Sequence, residues 1–235
     1  MEKPIVIHYR FKFTDDNRVT DYLLRLDPKT ITFIPPTDLE LPDWVNLEFN
    51  KCDHCPLDPK EHQHCPVARN LAGFVEHFKN EISHTEALII VRANDRYYSK
   101  QLSLQEGLYS VYGIIMSTSN CPMMNFLKPM ARYHLPFASL EETIFRTTSS
   151  YLLEQYYAHK RGEEADLKLD GLLFRYQEVE KVNEGISRRL RAVTSGDADR
   201  NAVVLLDSLA QVLFFELGTS LESMEYLYGQ SVQST

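Results

Sequence analysis

Cysteine and histidine crowd one short stretch of this sequence. Cys52-Asp53-His54-Cys55-Pro56 is followed by His62-Gln63-His64-Cys65-Pro66, so three cysteines and three histidines fall within fourteen positions. A Cys-x-x-Cys turn lets two sulfurs reach one metal ion while backbone amides hydrogen-bond to them, which is how structural zinc sites are built. His62 precedes Cys65 by three residues and would complete a local Cys3His set. Cys121 competes for the fourth place. It follows the break Ser117 to Asn120 between two expected helices, and Pro122 suits the first position of the next helix, as Pro66 does after Cys65. A thiolate at a helix start meets unpaired amides and the positive end of the dipole, so Cys65 and Cys121 are both expected to deprotonate readily.

Cys52, Cys55, Cys65 and Cys121 together would suit zinc or a [4Fe-4S] cluster. Four thiolates favour iron–sulfur, whereas local histidine favours zinc, and zinc is the leading expectation. The competing account is a set of reduced thiols in a loop with surface histidines. A redox Cys-x-x-Cys normally opens a helix after a strand, but here Pro56 to Pro59 follow. Met123, Met124, Met130 and His134 beside Cys121 could suggest soft Cu(I) ligation, although methionines at helical spacing more often fill cores.

Signatures of catalysis are sparse. The nine glycines form neither Gly-x-Gly-x-x-Gly nor a phosphate loop, and Gly-x-Ser-x-Gly and His-Glu-x-x-His are absent. His84-Thr85-Glu86 resembles the His-x-Glu of zinc deaminases, but the Pro-Cys-x-x-Cys that should follow is missing. Asp207 and Glu216, set in apolar helix, could be catalytic carboxylates; such residues more often pair with Arg or point outward.

Composition bounds the rest. A formal charge of −8 and a pI near 5.5 argue against nucleic-acid binding, which depends on clustered Lys and Arg. The basic residues Arg188, Arg189 and Arg191 close an expected helix, where cations complement the dipole. With 43% apolar and 25% charged residues the chain is ordinary globular material, large enough to bury a core without disulfides. No apolar stretch approaches the roughly 20 residues of a membrane span. Residues 1–13 alternate in polarity and do not resemble a secretory signal, so a cytoplasmic location is expected, and there four cysteines point to thiolate or metal chemistry.

An α+β fold must position these groups. Ile5, Ile7, Tyr9, Phe11 and Phe13 alternate as in a half-buried strand; Val19 to Leu26 and Ile31 to Ile34 would complete an N-terminal antiparallel meander. An extended linker from Pro35 to Pro42 leads to Trp44, Leu47 and Phe49, which could pack on the meander. The expected divisions are 1–50 for the meander and linker, 51–66 for a metal-binding loop, and 67–235 for a mainly helical body with one hairpin. Pro66 opens an amphipathic helix through Leu71, Phe74, Val75, Phe78 and Ile82. A hairpin follows, Ala87 to Val91 and Tyr97 to Leu102, turned at Asn94-Asp95. Ser103 with Glu106, and Ser139 with Glu142, predict capping boxes at two helix starts. Leu172, Tyr176, Val179, Asn183, Ile186, Leu190 and Val193 form a heptad stripe, read either as a homodimer seam fixed by Asn183 or as packing within the chain against residues such as Val204, Leu209, Val212 and Phe215.

Cys52-Asp-His-Cys-Pro-Leu-Asp-Pro, His64-Cys-Pro-Val-Ala, Asn120-Cys-Pro and Lys128-Pro-Met-Ala-Arg-Tyr-His-Leu-Pro-Phe-Ala138 resemble an uncharacterised family of bacterial proteins across most of the chain. The resemblance implies a bacterial cytoplasmic protein and assigns no chemistry. The function expected from the residues is a zinc-binding regulatory or protein-interaction module. The alternatives are an iron–sulfur redox or gas sensor, and an enzyme with an open metal position beside Glu61, His62 or His64.

Overall fold

A computed structural model describes residues 2–36 and 40–229. Its sheet has four antiparallel strands: β1 (Ile5–Phe13), β2 (Val19–Leu26), β3 (Glu86–Ala93) and β4 (Arg96–Ser103), in the order β2-β1-β3-β4. Alternation sends Ile7, Tyr9, Phe11 and Phe13 of β1 and Ala87, Ile89, Val91 and Ala93 of β3 to one buried face. On the other face Asp21 accepts from Arg10 and pairs with His8. The β3–β4 hairpin turns at Asn94 and Asp95, both at positive φ as a two-residue type I′ turn requires.

Two sequence expectations change here. Residues 31–34 contribute only an isolated bridge, Leu26 to Phe33, and Phe33 N–H donates instead to Thr118 O. The hairpin, expected within the helical segment, pairs with β1 from Ile7↔Ala93 to Phe13↔Ala87 and so joins the N-terminal strands in one sheet.

Among the described residues six α-helices accompany the sheet: α1 (Pro66–Phe78), α2 (Leu104–Ser117), α3 (Lys128–Arg132), α4 (Leu140–Lys160), α5 (Asp170–Val193) and α6 (Ala198–Met224). Both capping boxes form, at Ser103 with Glu106 and at Ser139 with Glu142. Helix α1 stops before Ile82, which is exposed because the chain has already left the helix at Lys79. Aromatic rings weld α1 to the sheet: Phe78 meets Phe11 edge-on at 5.0 Å, and Phe74 meets Tyr22 at 4.7 Å.

Helix α6 packs against α5 and α2. The α5 stripe from Leu172 to Leu190, Asn183 included, is buried inside this chain. A second copy would therefore have to use another surface. Of the residues expected to cover the stripe, Leu209 packs against the core and Val212 is half-buried, whereas Val204 and Phe215 are exposed; Ala210, Leu213 and Leu217 of α6 are buried. Among the described residues no helix is long and apolar enough to cross a membrane.

Candidate metal centre

The cysteines come from three separate places. Cys52 and Cys55 lie in an irregular loop tightened by Cys55 N–H donating to Cys52 O at 3.0 Å. Cys65 caps α1. Its N–H donates to Val45 O at 2.8 Å, and Leu47 N–H donates to Gln63 O at 2.9 Å, which ties the loop to the turn at Asp43–Val45. Cys121 caps the 3-10 turn Pro122–Leu127 with φ −62° and ψ 124°, nearly the −67° and 121° of Cys65. The expected likeness of the two Cys-Pro corners is thus a likeness of backbone geometry.

The four thiols lie near enough to influence one another's ionisation. Burial is the main influence pushing the Cys121 thiol up to about 12; the Met123 N–H opposes it, and charge on Cys65, Cys52 and Cys55 adds to it. Burial likewise pushes Cys52 up to about 11, with Cys65 and Cys55 adding and Arg189 and Arg188 opposing. Without a cation, then, Cys121 stays a neutral thiol, contrary to the expectation drawn from its place at a helix start. Desolvation outweighs a single amide donor there. All four cysteines are free thiols. Among the described residues no three His, Cys, Asp or Glu side chains are grouped so as to hold one ion, so coordination would require the thiols to draw closer.

Helix α5 supplies the floor. A Cβ on Gly185 would overlap Cys52 Sγ, so only glycine lets the loop sit this close to the helix. One turn on, Arg189 is 1% exposed and donates to the carbonyls of Trp44 at 2.5 Å, Asn46 at 2.8 Å and Leu47 at 3.0 Å. Burial lowers its pKa, and the neighbouring Cys65, Cys52 and Cys55 push the other way. The sequence marks Arg189 only as one of three cations closing a helix and does not show this role. The available signal was Val182, Gly185 and Arg189, a second face of α5 at spacings of three and four that is also buried.

His62 is exposed and lines a cleft with Glu61 and His64. His54 is half-buried; its ring nitrogens have no hydrogen-bond partner among the described residues, and its Nε2 stands 3.6 Å from Glu178. Met124 is core, and His134 Nε2 is engaged by Tyr9 OH at 2.6 Å. Asp207 is half-buried, with Oδ2 bonded to Gln211; the side chain of Glu216 lies outside the described residues.

An α+β frame that carries two buried and two half-buried free thiols, three of them beside a buried arginine, is the structural class this chain presents. The chain belongs to the family described as Domain of unknown function (DUF6901), whose model matches residues 7–229. No curated protein and no solved structure matches it.

Proposed function

We propose that the chain is a metal-binding regulatory or protein-interaction module in which Cys52, Cys55, Cys65 and Cys121 hold zinc as a closed four-thiolate site. The observation that supports this reading is that the four cysteines, from three segments, influence one another's ionisation, with Cys52 against Gly185 of α5 and Arg189 beside Cys52, Cys55 and Cys65. The donor chemistry suits the ion. Soft sulfurs favour zinc, and coordination would deprotonate thiols that burial alone keeps neutral. Arg189 would offset part of the negative charge that four thiolates bring to a divalent ion. The ion would fix the 52–65 loop, α1 and the 122–127 turn to the helical layer, giving a rigid face for a partner. A reducing bacterial cytoplasm is the compartment we assign, because free thiols persist there.

The second reading is [4Fe-4S], since four cysteines are at hand and iron–sulfur clusters prefer thiolates alone. Elemental analysis with an absorption spectrum of freshly purified protein separates the two. Colourless protein with stoichiometric zinc supports the first, and broad brown absorption with iron and sulfide supports the second. Cys52→Ser, Cys55→Ser, Cys65→Ser and Cys121→Ser should each lose most of the metal, whereas His62→Ala should keep it. Full occupancy in every cysteine variant would end both readings.

A further inference from the structure

A second feature lies away from the cysteines. Helices α2, α5 and α6 and the 124–138 segment enclose a cavity of about 140 Å³ with a largely apolar lining that includes Ile114, Met124, Val179 and Leu206. An engineered apolar cavity of about 150 Å³ accepts benzene, so this space has the capacity of one aromatic ring.

The polar groups on that wall are not arranged for an empty core. Asn183 lines the cavity at 1% exposure, and neither its Nδ2 nor its Oδ1 has a partner in the protein. An unsatisfied buried polar atom costs about 1–3 kcal/mol, so a leucine would serve a plain core better. Arg146 lines the same cavity. One of its amino groups is fixed by Met130 O at 2.9 Å and Tyr133 O at 2.8 Å; the charge of Glu142 acts on it, but among the described residues no carboxylate forms an ion pair with it. Glu142, the acid nearest in sequence, is engaged at its own helix cap by Ser139 N–H at 2.7 Å. His134, also on the wall, is held neutral by burial, with its pKa near 3, and is bonded to Tyr9. Arg146 is therefore the cation this space offers to a guest.

We propose that this cavity binds a small monocarboxylate whose apolar body is no larger than one aromatic ring, with Asn183 and Arg146 receiving the carboxylate. Tyr109, Ser110 and Ala138 line both the cavity and a neighbouring depression that reaches Phe137 and Leu205, so these three residues stand between the two. Phe137 has φ 60°, a left-handed conformation that costs a non-glycine residue energy and recurs at ligand clamps.

Titration of the full chain with benzoate and hexanoate, followed by calorimetry and thermal unfolding, tests this. Benzoate should bind in the millimolar range or tighter and raise the melting temperature. Toluene, which has the ring without the carboxylate, should bind roughly tenfold more weakly. Asn183→Leu should remain folded with at least the parent's stability yet lose benzoate affinity by roughly tenfold or more, and Arg146→Lys, which keeps the charge, should retain more affinity than Arg146→Gln. Absence of binding by both acids at millimolar concentration, or equal binding by Asn183→Leu, would overturn the proposal and leave the cavity to ordered water.

Discussion

Two buried ionisable residues each make a distinct prediction. Arg189 donates to three carbonyls of the 43–47 turn, of which Asn46 O also accepts from Phe49 N–H. Arg189→Met should destabilise the protein by about 3 kcal/mol in denaturant titrations, because the volume is kept while the carbonyls lose this donor. Asp199 accepts from Tyr112 OH at 2.7 Å, and its other oxygen has no partner. Burial, helped by the charge of Glu81 and opposed by the Tyr112 bond, raises its pKa from 3.8 to about 7. The folded chain keeps a proton that the unfolded chain releases, so this share of stability is full below the unfolded value and is lost as pH rises through about 7. Asp199→Asn cannot ionise. Its advantage over the parent should grow between about pH 5 and about pH 8, by at most about 3 kcal/mol, in urea titrations at both values.

At the scale of elements, what was legible depended on how local the cause is. The capping boxes, the start of α1 at Pro66 and the Asn94-Asp95 turn each rest on residues within four positions of one another, and all three form. The pairing of β1 with β3 rests on nothing local, since either face-alternating strand would serve β1 equally well by pattern. The same holds at the candidate site. Clustered types at Cys52, Cys55 and Cys65 stand out in the sequence, and the thiol at Cys121 could be nominated; that Gly185 and Arg189 would meet them is decided by packing. Gly185 gives this a test. Alanine in a helix interior ordinarily gains about 1 kcal/mol over glycine, yet Gly185→Ala should lose about 1–3 kcal/mol and lower metal content, because the methyl displaces Cys52. Chemical denaturation and elemental analysis of the purified variant check both parts.

Across the whole molecule, the corner at α5 joins segments that backbone hydrogen bonds alone hold weakly. The 43–65 region contains one short 3-10 turn and a few isolated bonds, whereas β1, β2 and β3 are paired along their lengths. On the proposed reading, metal removal by a strong chelator should lower stability by at least about 3 kcal/mol, the effect of binding at a hundredfold excess over Kd. Hydrogen exchange should locate the loss. Amides at Cys55, Cys65 and Leu47 should open early while those of β1 and β3 stay protected, and uniform opening of both regions would count against a local staple.

The corner also has a history in time. A ribosome delivers Cys52, Cys55 and Cys65 together, Cys121 only after the hairpin and α2 have emerged, and the glycine floor at Gly185 later still. An ion captured early would be held by three thiolates open to water, free to leave or be exchanged. It would become slow to exchange only when α5 closes over the loop, so the choice of metal would be made during synthesis and then locked by the last-arriving half of the chain.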